Sequence, residues 1–86
     1  MKIEYSAQSV KQLRKLNPTT RKTIIEYMDN VGTLENPRIY GKALKGNLSG
    51  YWRYRVSDYR VLCKIEDEKL VITVVKLGHR RSVYKT

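Results

Sequence analysis

Between Tyr51 and Leu62 the chain reads YWRYRVSDYRVL, a period-two alternation that belongs to extended strands and not to helix. Trp52, Tyr54 and Val56 share one parity; Arg53 and Arg55 share the other. Ser57 and Asp58 are turn formers, and a two-residue turn there sets Val56 opposite Tyr59 and Arg55 opposite Arg60. Directly opposed residues of an antiparallel pair project to the same side, so Arg53, Arg55 and Arg60 converge. The same register sends Val61, Cys63 and Ile65 to the side of Trp52 and Tyr54. Apolar and cationic patterns therefore agree on one pairing.

Two arginines facing each other across a strand pair repel by some tenths of a kcal/mol when solvated. An anion between them would reverse the sign, and guanidinium groups hold phosphate oxygens bidentately. The whole chain leans the same way. It carries 18 Lys and Arg against 8 Asp and Glu, a formal charge of +10, which favours polyanionic partners, nucleic acid first among them. An anionic membrane is the other common partner of such a charge. The sequence has no long apolar run, no signal-peptide pattern and no lipidation motif, so a cytoplasmic protein without membrane contact is expected.

The single cysteine, Cys63 in RVLCKI, offers neither an internal disulfide nor a multi-cysteine zinc site. It reads as a small core residue, and no metal or cofactor is expected.

Eighty-six residues predict one domain, residues 1–86, with a thin core. KIEY, Lys2 to Tyr5, has strand alternation. Ala7, Val10, Leu13 and Leu16 mark a helical stripe that Ser6 can cap, and Asn17-Pro18 restarts the chain as a second helix with Ile24, Met28 and Val31 on one side and Gly32 as its stop. From Gly32 to Gly50 the sequence is rich in breakers and has no clear period, with Leu34, Leu44 and Leu48 as its expected anchors. After Gly50 the period is two again through YWRYRV, YRVLCKI and LVITVVKL, the last two joined by an acidic turn. Helices followed by strands predict an α+β domain: an N-terminal strand, a two-helix hairpin, and an antiparallel three-strand meander, with the helices on one sheet face. The other face is left for the arginines. The tail adds His79, Arg80, Arg81 and Tyr84, with no acidic residue after Lys69.

Taken together, KIEYS, the basic helical hairpin, NPRIYGKALKGNLSGYWRYRVSDYRVLCKI and the closing VVKLGHRRSVY resemble the RelE toxins of the RelE/ParE toxin–antitoxin superfamily over essentially the whole chain. The resemblance implies a toxin that cleaves messenger RNA in the ribosomal A site, by attack of the RNA's own 2′-hydroxyl on the phosphorus, without a metal. Its implied partners are a RelB-like antitoxin, the small ribosomal subunit and the message. Matching by motif places the family's phosphate-binding roles on Arg53, Arg55 and Arg60, and its C-terminal arginine and tyrosine on Arg80 and Tyr84. Arg81, Lys45 and Lys42 are expected to contact RNA nearby.

Several family members carry lysine where Arg53 and Arg55 stand, and arginine, always protonated, is a poor general base. That leaves Tyr84 and His79 as titratable candidates, with Tyr84 preferred. Two other readings fit a basic chain of this kind. One is the ParE branch, whose members poison DNA gyrase; the other is a non-enzymatic RNA-binding protein.

Overall fold

The computed structural model describes residues 1–80. Strand β1 (Lys2–Tyr5) leads into helices α1 (Ala7–Arg14) and α2 (Pro18–Thr33), followed by strands β2 (Gly41–Ala43), β3 (Trp52–Val56), β4 (Tyr59–Glu66) and β5 (Val71–His79). The sheet runs β1-β5-β4-β3-β2, with β1 parallel to β5 and the other pairs antiparallel. This is the predicted α+β arrangement, with a fifth strand added.

Both helices start where the sequence places their caps. The Ser6 side chain accepts from the Ser9 N–H at 3.0 Å, and Asn17 accepts from Thr20 at 2.9 Å with Pro18 as the first helical residue. Such caps satisfy donors that the first turn leaves unpaired. The helices then cover one sheet face: Leu13, Ile24, Met28 and Val31 meet Tyr54, Val56, Val61, Cys63, Ile72, Val74 and Leu77. Met28 and Ile24 are fully buried, each a contribution of roughly 1.5–3 kcal/mol. Cys63 lies in this core, where burial pushes its thiol pKa up and keeps the sulfur inert.

Helix α1 has a second task. Strand β1 covers β5 only as far as Val74, and the open edge beyond it meets α1. Ser6 Oγ donates to the Val75 carbonyl, and the Gln12 side-chain oxygen accepts from the Leu77 N–H at 2.7 Å. Side chains thus complete a ladder that β1 is too short to finish.

Three details differ from the sequence expectation. Gly32 does not stop α2, which runs one residue further and is capped by Leu34 in an extended conformation. Its role is close approach: a Cβ there would lie 2.6 Å from the Met1 carbonyl oxygen, and the Met1 amino group donates to the Gly32 carbonyl. Second, the segment from Gly32 to Gly50 contains β2, too short to show a period. Third, Leu34, Leu44 and Leu48 are only half-buried and lie outside the core cluster. What pins the segment is buried Pro37, whose carbonyl accepts from Tyr54 Oη at 2.6 Å, together with Gly41, where a Cβ would collide with the Trp52 ring. Arg38 adds a bidentate pair to Asp67, at 3.0 and 2.7 Å, and lies 5.8 Å from the Trp52 ring centre. That guanidinium holds the Asp67 carboxyl below the usual carboxylate range.

Candidate nucleic-acid interface

On the face away from the helices, register sorts the side chains into rungs across the sheet. Arg55 pairs with Arg60, as the two-residue turn requires, and Val56 pairs with Tyr59. Arg60 in turn pairs with Gly78 of β5, so no side chain fills the β5 position of this rung. One Arg60 nitrogen donates to its neighbour's carbonyl, Tyr59 O, at 3.2 Å.

The next rung reads Lys42, Arg53, Leu62, Lys76 across β2, β3, β4 and β5. Leu62 is fully buried although it lies on this face, apart from the core cluster. It forms an apolar floor with a cation on either side. Arg53 is half-buried and its Nε has no hydrogen-bond partner among the described residues. A buried, unpartnered guanidinium donor asks for an acceptor.

Lys76 is the residue that sequence reasoning missed. Between Leu62 and Cys63 the pairing with β5 shifts by one: Leu62 faces Lys76, while Cys63 faces Val74. Val75 is the extra residue. A shift of one place exchanges the two faces, so Lys76 joins the arginines, whereas unbroken alternation from Ile72 and Val74 would have put it against the helices. The signal was present in ITVVKL: the apolar positions move from even numbers (Ile72, Val74) to odd (Leu77).

Two further rungs complete the face. Lys64 pairs with Thr73, and its ammonium lies 5.4 Å from the centre of the Tyr51 ring. Glu66 pairs with Val71, which pairs with Lys2. Among the described residues, Lys42, Arg53, Arg55, Arg60, Lys64 and Lys76 make no ion pair; the carboxylates that do pair are Glu26, Asp67 and Glu66, with Lys22, Arg38 and Lys69. Six cations therefore share one face with none of them ion-paired; its carboxylates are Glu66, which pairs with Lys69, and Glu4, at the β1 position of the Lys64–Thr73 rung.

The remaining sequence-predicted residues are distributed unevenly. Arg80 is held at the turn end of the sheet, because its N–H donates to the Asp58 carbonyl at 2.8 Å; it stands near the Arg55–Arg60 rung. His79 pairs with Tyr59, and the two rings meet edge to face at 5.9 Å. Tyr59 packs against the core, so this register puts His79 on the helix side of the sheet, away from the arginines. Lys42 belongs to the Arg53 rung, while Lys45 lies in the loop that precedes β3 and is exposed. Arg81 and Tyr84 fall outside the described residues.

A groove of about 270 Å³ lies on the helix side, lined by Thr19, Thr20, Thr23, Ile24 and the Val56–Tyr59 turn. It presents no cation, and Asp58 is its one charged residue. The cations lie on the opposite face of the sheet.

Comparison with known proteins gives the same grouping. Residues 3–84 match the family described as ParE toxin of type II toxin-antitoxin system, parDE. The mRNA interferase toxin RelE of Escherichia coli K12 is 33% identical over 79 residues, which cover 91% of this chain and 81% of that protein. The fold superposes on the toxin–antitoxin complex RelBE2 of Mycobacterium tuberculosis with a TM-score of 0.84 at 25% identity, covering 92% of this chain and 90% of that one. The isolated E. coli RelE toxin gives a TM-score of 0.73 at 28% identity, over 91% and 82% of the two chains.

Proposed function

Since this chain belongs to the ParE toxin family of type II toxin–antitoxin systems, in its RelE group of mRNA interferases, we propose that it cuts messenger RNA on the ribosome, in the A site, without a metal. The observation that carries this reading is the Arg55–Arg60 rung, two arginines paired directly across β3 and β4, neither of them ion-paired to a carboxylate among the described residues.

In the proposed reaction the 2′-oxygen forms a bond to phosphorus as its proton passes to a base. The bond to the 5′-oxygen breaks, and that oxygen takes up a proton to leave as a hydroxyl. The products are a 2′,3′-cyclic phosphate and a 5′-hydroxyl end. Arg55 and Arg60, joined by Arg80, hold the non-bridging oxygens, whose charge grows in the transition state; fixed donors in a water-poor site act most strongly there. Arg53, Lys42 and Lys76 take the adjacent backbone. Tyr84 serves as the proton-transfer group in this scheme, and the helix-side position of His79 argues against the alternative.

A face of six cations binds phosphate well, but nothing on it orients a 2′-hydroxyl in line with the leaving oxygen. Orientation accounts for several kcal/mol of such a barrier. A message held bent in the A site supplies it. A RelB-like antitoxin is the proposed restraint, as RelB–RelE complexes occur among the solved relatives.

The test compares one short message, free and ribosome-bound, at equal enzyme concentration. Cleavage confined to the ribosome is expected, with Tyr84→Phe impairing cutting far more than ribosome binding. Equal cutting of free RNA would overturn the ribosome dependence. The matching family carries the ParE description, which favours gyrase inhibition as the second reading; inhibition of supercoiling with no cleavage of either RNA would establish it.

A further inference from the structure

Beyond the two cationic rungs lies Tyr51, the residue that leads into β3, with its ring beside Lys64 of the basic face. Its backbone is fixed on both sides before any ligand arrives: its N–H donates to Leu48 O at 3.1 Å, and its carbonyl accepts from Leu44 N–H at 3.1 Å. The ring is half-buried, with the exposed Lys64 ammonium 5.4 Å from its centre. Two strand residues span about 7 Å, so Tyr51 stands one rung beyond Arg53 and two beyond Arg55. That interval is comparable with the step between successive phosphates of an extended single strand. Glu4 lies two strands away on the Lys64 rung, the following rung carries Glu66, and Asp67 and Glu68 come next in the chain, so the cationic track ends at Tyr51 and Lys64.

We propose that Tyr51 and Lys64 form a nucleotide subsite that stacks one base of a single-stranded RNA and contacts its phosphate, at the end of a track that begins at Arg55 and Arg60. This rests on the RNA-cleaving reading of the same face and specifies how the strand lies along it. A cation–π contact at an exposed site is worth about 0.5–1 kcal/mol, whereas stacking a base on an aromatic ring is worth about 1–3 kcal/mol. The incoming base therefore displaces the ammonium from the ring. Lys64 then turns to the neighbouring phosphate, where its charge is better used. The subsite takes any base, because every base has a stacking face, and it fixes which nucleotide lies at the arginine rung.

The test is equilibrium binding of the full chain to a short single-stranded RNA made uncleavable by 2′-O-methylation, measured by fluorescence anisotropy at several salt concentrations. Tyr51→Ala is expected to weaken binding about tenfold, and Tyr51→Trp to retain it. Lys64→Gln should make the log–log salt slope shallower by about 0.7, the value for one single-strand phosphate contact. A scan of single abasic sites should find one position whose loss weakens the wild-type chain but leaves Tyr51→Ala unchanged. Tyr51→Ala binding as tightly as wild type, or losing equally on every abasic RNA, overturns the subsite while leaving the RNA reading intact. Absence of salt-dependent binding by the wild-type chain overturns both.

Discussion

Strand β3 shows two different environments at a spacing of one residue. Tyr54 is wholly buried, its hydroxyl bonded to Pro37 and its ring edge-on to Tyr27 at 6.3 Å. Arg55, the next residue, is exposed and faces another arginine. Side chains on the helix face are chosen for packing, and each lowers the free energy of the fold. The opposed arginines of the other face raise it slightly in the absence of a partner, which marks them as serving something other than the fold.

That contrast is open to direct challenge. The largest effect should come from the packed face: Met28→Ala removes a fully buried side chain at about 2–5 kcal/mol, read as a lower denaturation midpoint, while cleavage per folded molecule stays near wild type. Next, Arg60→Ala should lower single-turnover cleavage about a hundredfold, or 2.7 kcal/mol of transition-state stabilisation, with little change in the denaturation midpoint. A large loss of stability in Arg60→Ala would break the division between the faces. Tyr54→Phe, which keeps the ring and strands the buried Pro37 carbonyl, should cost about 1–3 kcal/mol of stability and leave cleavage by the folded fraction unaffected. The smallest effect has the opposite sign: Arg55→Gln relieves the repulsion with Arg60 and should stabilise the free protein by a few tenths of a kcal/mol. Thermal unfolding at low and high salt would check it, since salt screens the repulsion it removes.

The legible parts of this molecule are those in which two signals overlap. The Arg55–Arg60 pairing could be read because turn chemistry at Ser57-Asp58 and the parity of Trp52, Tyr54 and Val56 demand the same register. The helix starts could be read because Ser6 and Asn17 sit immediately before apolar stripes. Where only one signal exists, reading fails. Strand β2 has three residues and pairs through backbone, so no side-chain period announces it. Gly32 has the residue type of a helix terminator, but its smallness serves contact with Met1, which lies far away in sequence. Lys76 was missed because a single extra residue, Val75, reverses the faces of β5, and a reading that carries parity forward from Ile72 cannot see the change without noticing Leu77.

The parallel pairing of β1 with β5 has a consequence for how the chain assembles. Ile3 finds Ile72, and the Lys2 N–H donates to Leu70 O at 2.9 Å, so β1 must wait for β5, which is made after the other described strands. Closing a loop of about 70 residues costs roughly 4 kcal/mol plus a constant, and contacts of such sequence separation slow folding. Arg53, Arg55 and Arg60 all lie before β5 in the chain, but the sheet that holds them as one surface is incomplete until β5 inserts between β4 and β1. A partly made chain is therefore expected to carry the cations without their arrangement. Folding order alone would delay the full basic face until β5 has been made.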